Sequence, residues 1–162
     1  MAEGGRDYSQ ILQDPQQIAE FVQRKVDSKL RWYQENRCHY EGRPWASWQD
    51  KVLEVFYKGN LSIEVPHDGK VICKQGNILV IDWESHCPIL ETCLQNGDDP
   101  VQVCSTLYHV QYQALLSLIE PGLMFTRDYS QLRPKTDHCR EVIIYKPDMW
   151  SALGAMAKMT RS

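Results

Sequence analysis

A chain of 162 residues, 43% hydrophobic and 24% charged, has the composition of an ordinary globular domain. Its formal net charge is -3 and it has no basic block, so we expect no binding to nucleic acid. Its apolar stretches are too short to span a membrane, and its first residues form no apolar signal segment, which predicts a cytoplasmic protein.

The N-terminal region predicts a tail followed by an amphipathic helix. Residues 1–13 are mainly polar, and we expect a flexible tail ahead of a single domain over residues 14–162. Asp14 and Pro15 are the residue types preferred at a helix N-cap and at the first helical position. Apolar residues at helical spacing then continue to about Glu35.

A second helix and a change to strand-like alternation follow. Ser47 is of the N-cap type, and Gly59 is the residue at which this helix is expected to end. Alternation with a period of two then predicts three strands, over residues 61–65, 71–74 and 77–82. Turn residues separate these segments, so we expect a three-stranded meander.

The second half predicts a short helix from Pro88 and a long one from Asp99 to about Ile119. The core stripe predicted for the long helix is Val103, Leu107, Val110, Ala114 and Leu118. Two further strands, over residues 123–127 and 141–145, and a terminal helix over residues 149–159 complete the order. The predicted class is α+β, with an antiparallel sheet of about five strands packed against the N-terminal and central helices.

Six cysteines are many for a chain without an export signal. They are Cys38, Cys73, Cys87, Cys93, Cys104 and Cys139. Disulfides are rare in reducing compartments, so such cysteines are core, metal-binding or catalytic residues. Cys73 and Cys93 fall on apolar patterns, and we expect both in the core.

Cys87 is the first candidate for chemistry. It follows a predicted strand and precedes Pro88, so we expect its sulfur at the N-terminus of a helix. The positive end of the helix dipole stabilises a thiolate, which makes Cys87 a candidate nucleophile. His86 and His138 are the candidate proton carriers for such a reaction.

A metal site is the second candidate, because thiolates bind Zn²⁺ or an Fe–S cluster. In a regular helix Cys93 would lie about 9 Å along the axis from Cys87, at ~1.5 Å per residue. Two sulfur ligands of one zinc lie only ~4 Å apart. The expected ligands are therefore Cys87, Cys104 and Cys139, with Zn²⁺, an Fe–S cluster or no metal left open.

A pocket for a small-molecule ligand is the third candidate. The chain is rich in large aromatic residues, and Trp83 is the aromatic residue that we assign to substrate binding. Arg127 and Arg133 are candidates to clamp a carboxylate with paired N–H groups, the alternative being a solvated surface. Whether the chain forms a homodimer is left open.

Three segments together resemble a known family. They are Cys87-Pro88 before a short helix, residues 99–104 at the start of a long helix, and Leu132-Arg133 ahead of residues 137–144. Over about residues 55–146 the chain resembles the L-2-amino-thiazoline-4-carboxylic acid hydrolase family and, more distantly, small-molecule-binding domains of the 4-vinyl reductase type.

The resemblance implies two alternative functions. The hydrolases open a small ring containing nitrogen and sulfur by C–N hydrolysis, whereas the reductase-like domains sense or handle ligands, some with a cysteine-bound metal. Cys87, Cys104 and Cys139 are the matching positions, and Thr136 stands where the family has a glycine. We therefore expect a hydrolase-like protein or a non-enzymatic binding module, and leave open that the cysteines are mainly core residues.

Overall fold

The computed structural model describes residues 6–148, in which helices pack against a four-stranded antiparallel sheet. The helices are α1 (Tyr8–Leu12), α2 (Pro15–Asn36), α3 (Trp48–Val52), α4 (Pro88–Asn96), α5 (Pro100–Val103) and α6 (His109–Ile119). The strands are β1 (Gly69–Gln75), β2 (Ile78–Trp83), β3 (Leu123–Asp128) and β4 (Cys139–Tyr145), in the order β1-β2-β4-β3. The predicted α+β class is confirmed.

The sheet has four strands rather than five, because residues 61–65 form no strand. The second helix does not end at Gly59 but continues from α3 as a π-helical segment, Leu53–Leu61. Ser62 then has a left-handed backbone, with φ 58°, and turns the chain away from the helix. Leu61 takes part in the helical hydrogen bonding and therefore does not begin a strand. β1 and β2 form a two-stranded hairpin instead of the expected three-stranded meander.

The prediction of a flexible tail is wrong for residues 7–12. Asp7 caps α1 by accepting a hydrogen bond from the backbone N–H of Gln10. Tyr8 is fully buried, its ring contacts Phe21 edge-on, and its hydroxyl lies 2.9 Å from that of Tyr108. The aromatic contact between elements 100 residues apart in sequence orders this segment.

A π turn interrupts the predicted long helix between α5 and α6, over Cys104–Tyr108. Such a turn contains one residue more than an α turn, which rotates the following residues by about 100° relative to a regular helix. Val110 and Leu118, predicted in the core, are therefore exposed. The buried apolar residues of α6 are Tyr112, Leu115, Leu116 and Ile119.

The core lies between the helices and one face of the sheet. Side chains alternate along a strand, and the odd-numbered residues Leu79, Ile143 and Phe125 of three adjacent strands all belong to it. None of the helices within residues 6–148 has the length and apolarity needed to cross a membrane. The predicted terminal helix, residues 149–159, and the end of the predicted domain lie outside the described residues.

Candidate functional site

Cys87, Cys104 and Cys139, the three cysteines grouped by the sequence analysis, all line one cavity. This thiol cavity encloses about 210 Å³. Its apolar lining consists mainly of Leu61, Ile63, Pro88, Ile89 and Leu132. Trp83, His86, Arg127 and Arg133, four of the other predicted site residues, also line it.

The other cysteines lie elsewhere. Cys93 is fully buried in the core, as expected, and burial raises the pKa of its thiol to about 12. Cys73 was also expected in the core, but it is half-buried on β1, an edge strand of the sheet. Cys38 is exposed in a short 3-10 helix after α2.

Strand register builds the sheet side of the cavity, formed by Trp83, Arg127, Cys139 and Glu141. In the antiparallel ladders Trp83 is paired with Cys139, and Arg127 is paired with Glu141. Cys139 and Glu141 are two residues apart on β4, so their side chains point to the same face of the sheet. Three neighbouring strands thus direct these four side chains towards the helices.

The opposite, helix side of the cavity is formed by Cys87, Cys104 and Tyr112. Cys87 is the N-cap of α4 and Pro88 is its first residue, which confirms the helix start predicted there. The Cys87 side chain makes no capping hydrogen bond. Cys104 opens the π turn, and burial raises the pKa of its thiol to about 11, although the Arg127 guanidinium opposes this rise. The Cys104 thiol is therefore neutral near pH 7.

Arg127 and Glu141 form a buried ion pair. Nη2 of Arg127 lies 3.0 Å from Oε1 of Glu141, and Nε donates to the same oxygen at 3.1 Å. The two side chains are only 7% and 9% exposed. The Tyr57 hydroxyl donates to Oε2 of Glu141 at 2.9 Å, and burial raises the pKa of Tyr57 well above its usual value, so that it keeps this proton. Protein donors thus occupy both oxygens of Glu141.

One nitrogen of the Arg127 guanidinium has no hydrogen-bond acceptor among the described residues. Nη1 of Arg127 is buried without a hydrogen-bond partner in the described part of the chain. The Cζ atom of Arg127 lies 5.0 Å from the ring centroid of Tyr112 and 4.9 Å from that of Phe125. Burial raises the pKa of Tyr129, and the Arg127 guanidinium opposes this rise. Most buried donors are paired, so Nη1 is a marked exception.

Arg133 connects the two sides of the cavity. Its Nε donates to the sulfur of Cys139 at 3.3 Å. Its Nη1 donates to the carbonyl oxygens of Ser85, at 2.7 Å, and Glu84, at 3.2 Å. These bonds tie the segment before Cys87 to the start of β4, and none of them goes to a carboxylate.

The two predicted proton carriers differ in position. His86 lines the cavity, its side chain is 70% exposed, and its Nε2 lies 3.5 Å from Oε2 of Glu91. His138 is not among the lining residues: its Nδ1 lies 2.7 Å from Oδ1 of Asp137, and its Nε2 lies 3.0 Å from Oε1 of Gln131. The structure thus brings His86, and not His138, to the edge of the thiol cavity.

Sequence reasoning did not assign Glu141, Tyr57 and Tyr112 to the site. A signal existed for Glu141, because its spacing of two from Cys139 on a predicted strand places both on one face. The other two residues carried no comparable signal. Tyr57 meets Glu141 across 84 positions of sequence, and Tyr112 lies just beyond the irregular π turn.

The three thiols line one cavity but do not form a compact set of ligands. Among residues 6–148, no group of three or more His, Cys, Asp or Glu side chains is arranged to hold a metal ion.

A scan of protein-family models finds no match to this chain, and no curated protein matches it either. The functional argument therefore depends on the geometry of the thiol cavity.

Proposed function

We propose that this protein binds a small molecule in the thiol cavity and opens a C–N bond in it, with Cys87 as the nucleophile. The observation that carries the proposal is the meeting of Cys87, Cys104 and Cys139 on one cavity, although they come from three separate elements. Cys87 and His86 also line a more open depression of about 440 Å³ beside it. A ligand that enters through this depression would reach the thiol cavity next to Cys87.

The proposed reaction uses the sulfur and one proton carrier. The Cys87 sulfur adds to the ring carbon, and its proton passes through His86 to the nitrogen, which leaves as the C–N bond breaks. Water then attacks the same carbon, the C–S bond breaks, and the sulfur regains a proton. The net change is the addition of one water across the C–N bond. The N-terminus of α4 favours negative charge on the sulfur during this sequence.

Replacing the nucleophile tests the enzymatic proposal. We expect Cys87→Ala to abolish opening of 2-amino-thiazoline-4-carboxylate, or of a related cyclic amidine, while the Tm stays nearly unchanged. Cys73→Ala is the matched control, because Cys73 lies on β1 outside the cavity lining. Turnover that survives in Cys87→Ala would refute the role of Cys87.

A non-enzymatic binding or sensing module is the second candidate. The observation that favours it is that two buried charged groups of the cavity, Arg127 and Glu141, are paired with each other, and that Glu141 also accepts from Tyr57. Alkylation of the native protein separates the two functions. A nucleophile at Cys87 should react with iodoacetamide faster than the half-buried Cys73, whereas equal rates would favour the binding module.

Elemental analysis of protein purified without oxygen tests the zinc and iron–sulfur alternatives. We expect less than one metal ion per chain, because the thiols form no compact ligand set. Stoichiometric zinc or iron that is lost in Cys87→Ser, Cys104→Ser and Cys139→Ser would instead establish a metal site.

A further inference from the structure

We infer that two copies of this chain form a dimer through the outer face of the sheet, which is the face that points away from the helices. The inference goes beyond the proposed function, because the thiol cavity lies on the helix side of the sheet and takes no part in this contact. The partner is a second copy of the chain, with the two sheets packed face to face.

The outer face carries apolar side chains that the described helices leave without a partner. The core residues of β2, β3 and β4 are odd-numbered, so the even-numbered residues of these strands point to the outer face. Five of the even-numbered residues are apolar and half-buried, namely Ile78, Val80, Met124, Val142 and Ile144. Within residues 6–148, none of the five belongs to the core or packs against it. An apolar surface of this kind, bordered by polar residues, is typical of a protein–protein interaction site.

Strand register arranges the outer face in rows that run across the sheet. Residues paired in an antiparallel ladder point to the same face, so Val80 lies beside Val142. In the next row towards one end of the strands, Ile78 lies beside Ile144. The row on the other side of Val80 is charged and reads, in the strand order β1-β2-β4-β3, Lys70, Asp82, Arg140 and Asp128. The sign of the charge therefore alternates across the sheet.

This pattern is self-complementary about a two-fold axis that runs parallel to the strands between β2 and β4. Rotation about this axis places β2 opposite β4 of the other copy and β1 opposite β3. Val80 then faces Val142 of the other copy, and each charge of the charged row faces a charge of opposite sign. An axis at right angles to the strands would instead place the charged row against the row of Ile78 and Ile144. The pattern thus favours a second copy in the first orientation, in which the two sheets are aligned as in a β-sandwich.

The charged row can be covered without leaving a charge unpaired. Nε and Nη2 of Arg140 donate to the two carboxylate oxygens of Asp82, at 2.7 and 2.8 Å. Nζ of Lys70 lies 2.7 Å from Oε1 of Glu84, and the carboxylate of Asp128 accepts from the 3-10 helix that follows β3. An unpaired charge is costly to bury, so these pairs within one chain make the face suitable for burial against another.

Sedimentation measurements on the full chain test the dimer and its surface. We expect the wild type to form a dimer that dissociates on dilution. Val80→Lys places an unpaired charge at the centre of the outer face and should weaken the dimer about tenfold or more. Val110→Lys is the matched control, because Val110 is 47% exposed on α6, and it should leave the Kd of the dimer unchanged.

Two outcomes of these measurements would overturn the inference. A wild type that is monomeric over the whole concentration range would mean that another part of the chain or a different protein covers the outer face. A dimer whose Kd is the same in Val80→Lys as in the wild type would mean that the copies meet through another surface.

Mixing two variants tests the orientation of the copies. Val142→Glu alone should also weaken the dimer, since the introduced carboxylate would face Val80 of the other copy. In a mixture of Val80→Lys with Val142→Glu, the introduced lysine of one chain faces the introduced glutamate of the other, so we expect the dimer to return. A mixture that stays monomeric, although each variant keeps the circular dichroism spectrum of the wild type, would overturn the assigned two-fold axis.

Hydroxyl-radical footprinting of the wild type tests the surface without any variant. Met124 lies on the outer face, whereas Leu118 is exposed on α6. Oxidation of Met124 should slow as the protein concentration rises through the Kd of the dimer, while oxidation of Leu118 should not change. The same concentration dependence at both side chains, or none at Met124, would overturn the assignment of the outer face.

Discussion

The two sides of the thiol cavity are built by different kinds of local structure. The sheet side carries the buried ion pair of Arg127 and Glu141, and ladder pairing sets the position of each of its residues. The helix side carries Cys87 and Cys104, placed by a helix N-cap and by a π turn. The sheet side is charged, and its residues have the regular spacing of a strand ladder. The helix side presents the thiols of Cys87 and Cys104 from irregular parts of the backbone.

Under the proposed function, the two sides would have different roles in binding and in reaction. A ladder holds its side chains at fixed spacings, which suits the orientation of a charged ligand group. Helix termini and π turns depart from regular hydrogen bonding and are frequent at functional sites. We therefore expect changes on the sheet side to act mainly on stability and ligand orientation, and changes on the helix side to act mainly on thiol chemistry.

The largest expected effect is on the sheet side, in Glu141→Ala. The change would leave Arg127 charged and buried without its partner, which costs about 3–5 kcal/mol in the free energy of unfolding. Glu64→Ala is the control, because the pair of Glu64 with Lys58 is about half exposed and should be worth at most ~1 kcal/mol. Urea titrations of both variants would measure the difference. Similar losses would show that the pair does not hold the sheet side together.

An intermediate effect is expected on the helix side, in the pH dependence of stability. Burial raises the pKa of Cys104 to about 11 in the folded protein, whereas an unfolded thiol titrates at about 8.5. The folded state therefore holds more protons between these values, and stability falls as the pH rises through them. Unfolding titrations from pH 8 to 11 would measure this fall in the free energy of unfolding. It should be smaller in Cys104→Ala than in the wild type, by up to ~3 kcal/mol.

The exposed Cys38 provides the control for this titration. Cys38→Ala removes an exposed thiol, and Cys104→Ala should have a shallower slope of stability against pH than this variant. A slope that does not change in Cys104→Ala would mean that this thiol is not buried on the helix side.

The smallest expected effect tests the π turn that positions Cys104 and Tyr112. Leu118 is 41% exposed because of the rotation after this turn, so Leu118→Gln should change the free energy of unfolding by no more than ~0.5 kcal/mol. Leu116→Ala is the matched comparison, since Leu116 is fully buried and its truncation should cost about 2–5 kcal/mol. If Leu118→Gln were the more damaging change, α6 would have the regular helical phase after all.

Parts of the site were predictable because their signals are local. Cys87 directly precedes Pro88, and this pair predicts a helix N-cap wherever the segment lies in the fold. The grouping of Cys87 with Cys104 and Cys139, rather than with Cys93, came from helix spacing and from family resemblance. The shared cavity agrees with that grouping.

Other parts were not predictable from neighbouring residues. The alternation in residues 61–65 is typical of a strand, but the π-helical hydrogen bonds of Leu53–Leu61 extend into it. Tyr8 lies in a polar segment and is ordered by distant aromatic rings. In both cases packing overrides the local preference of the chain.

The sequence by itself determined the helix starts at Asp14, Asp99 and Cys87 and the strands that became β2 and β4, because caps and alternation depend on residues next to one another. Only the tertiary structure decided that Arg127 meets Glu141, and that a π turn rotates α6 so that Tyr112 faces the cavity. Pairings of this kind depend on strand register and on packing between elements far apart in the chain, and no single segment encodes these.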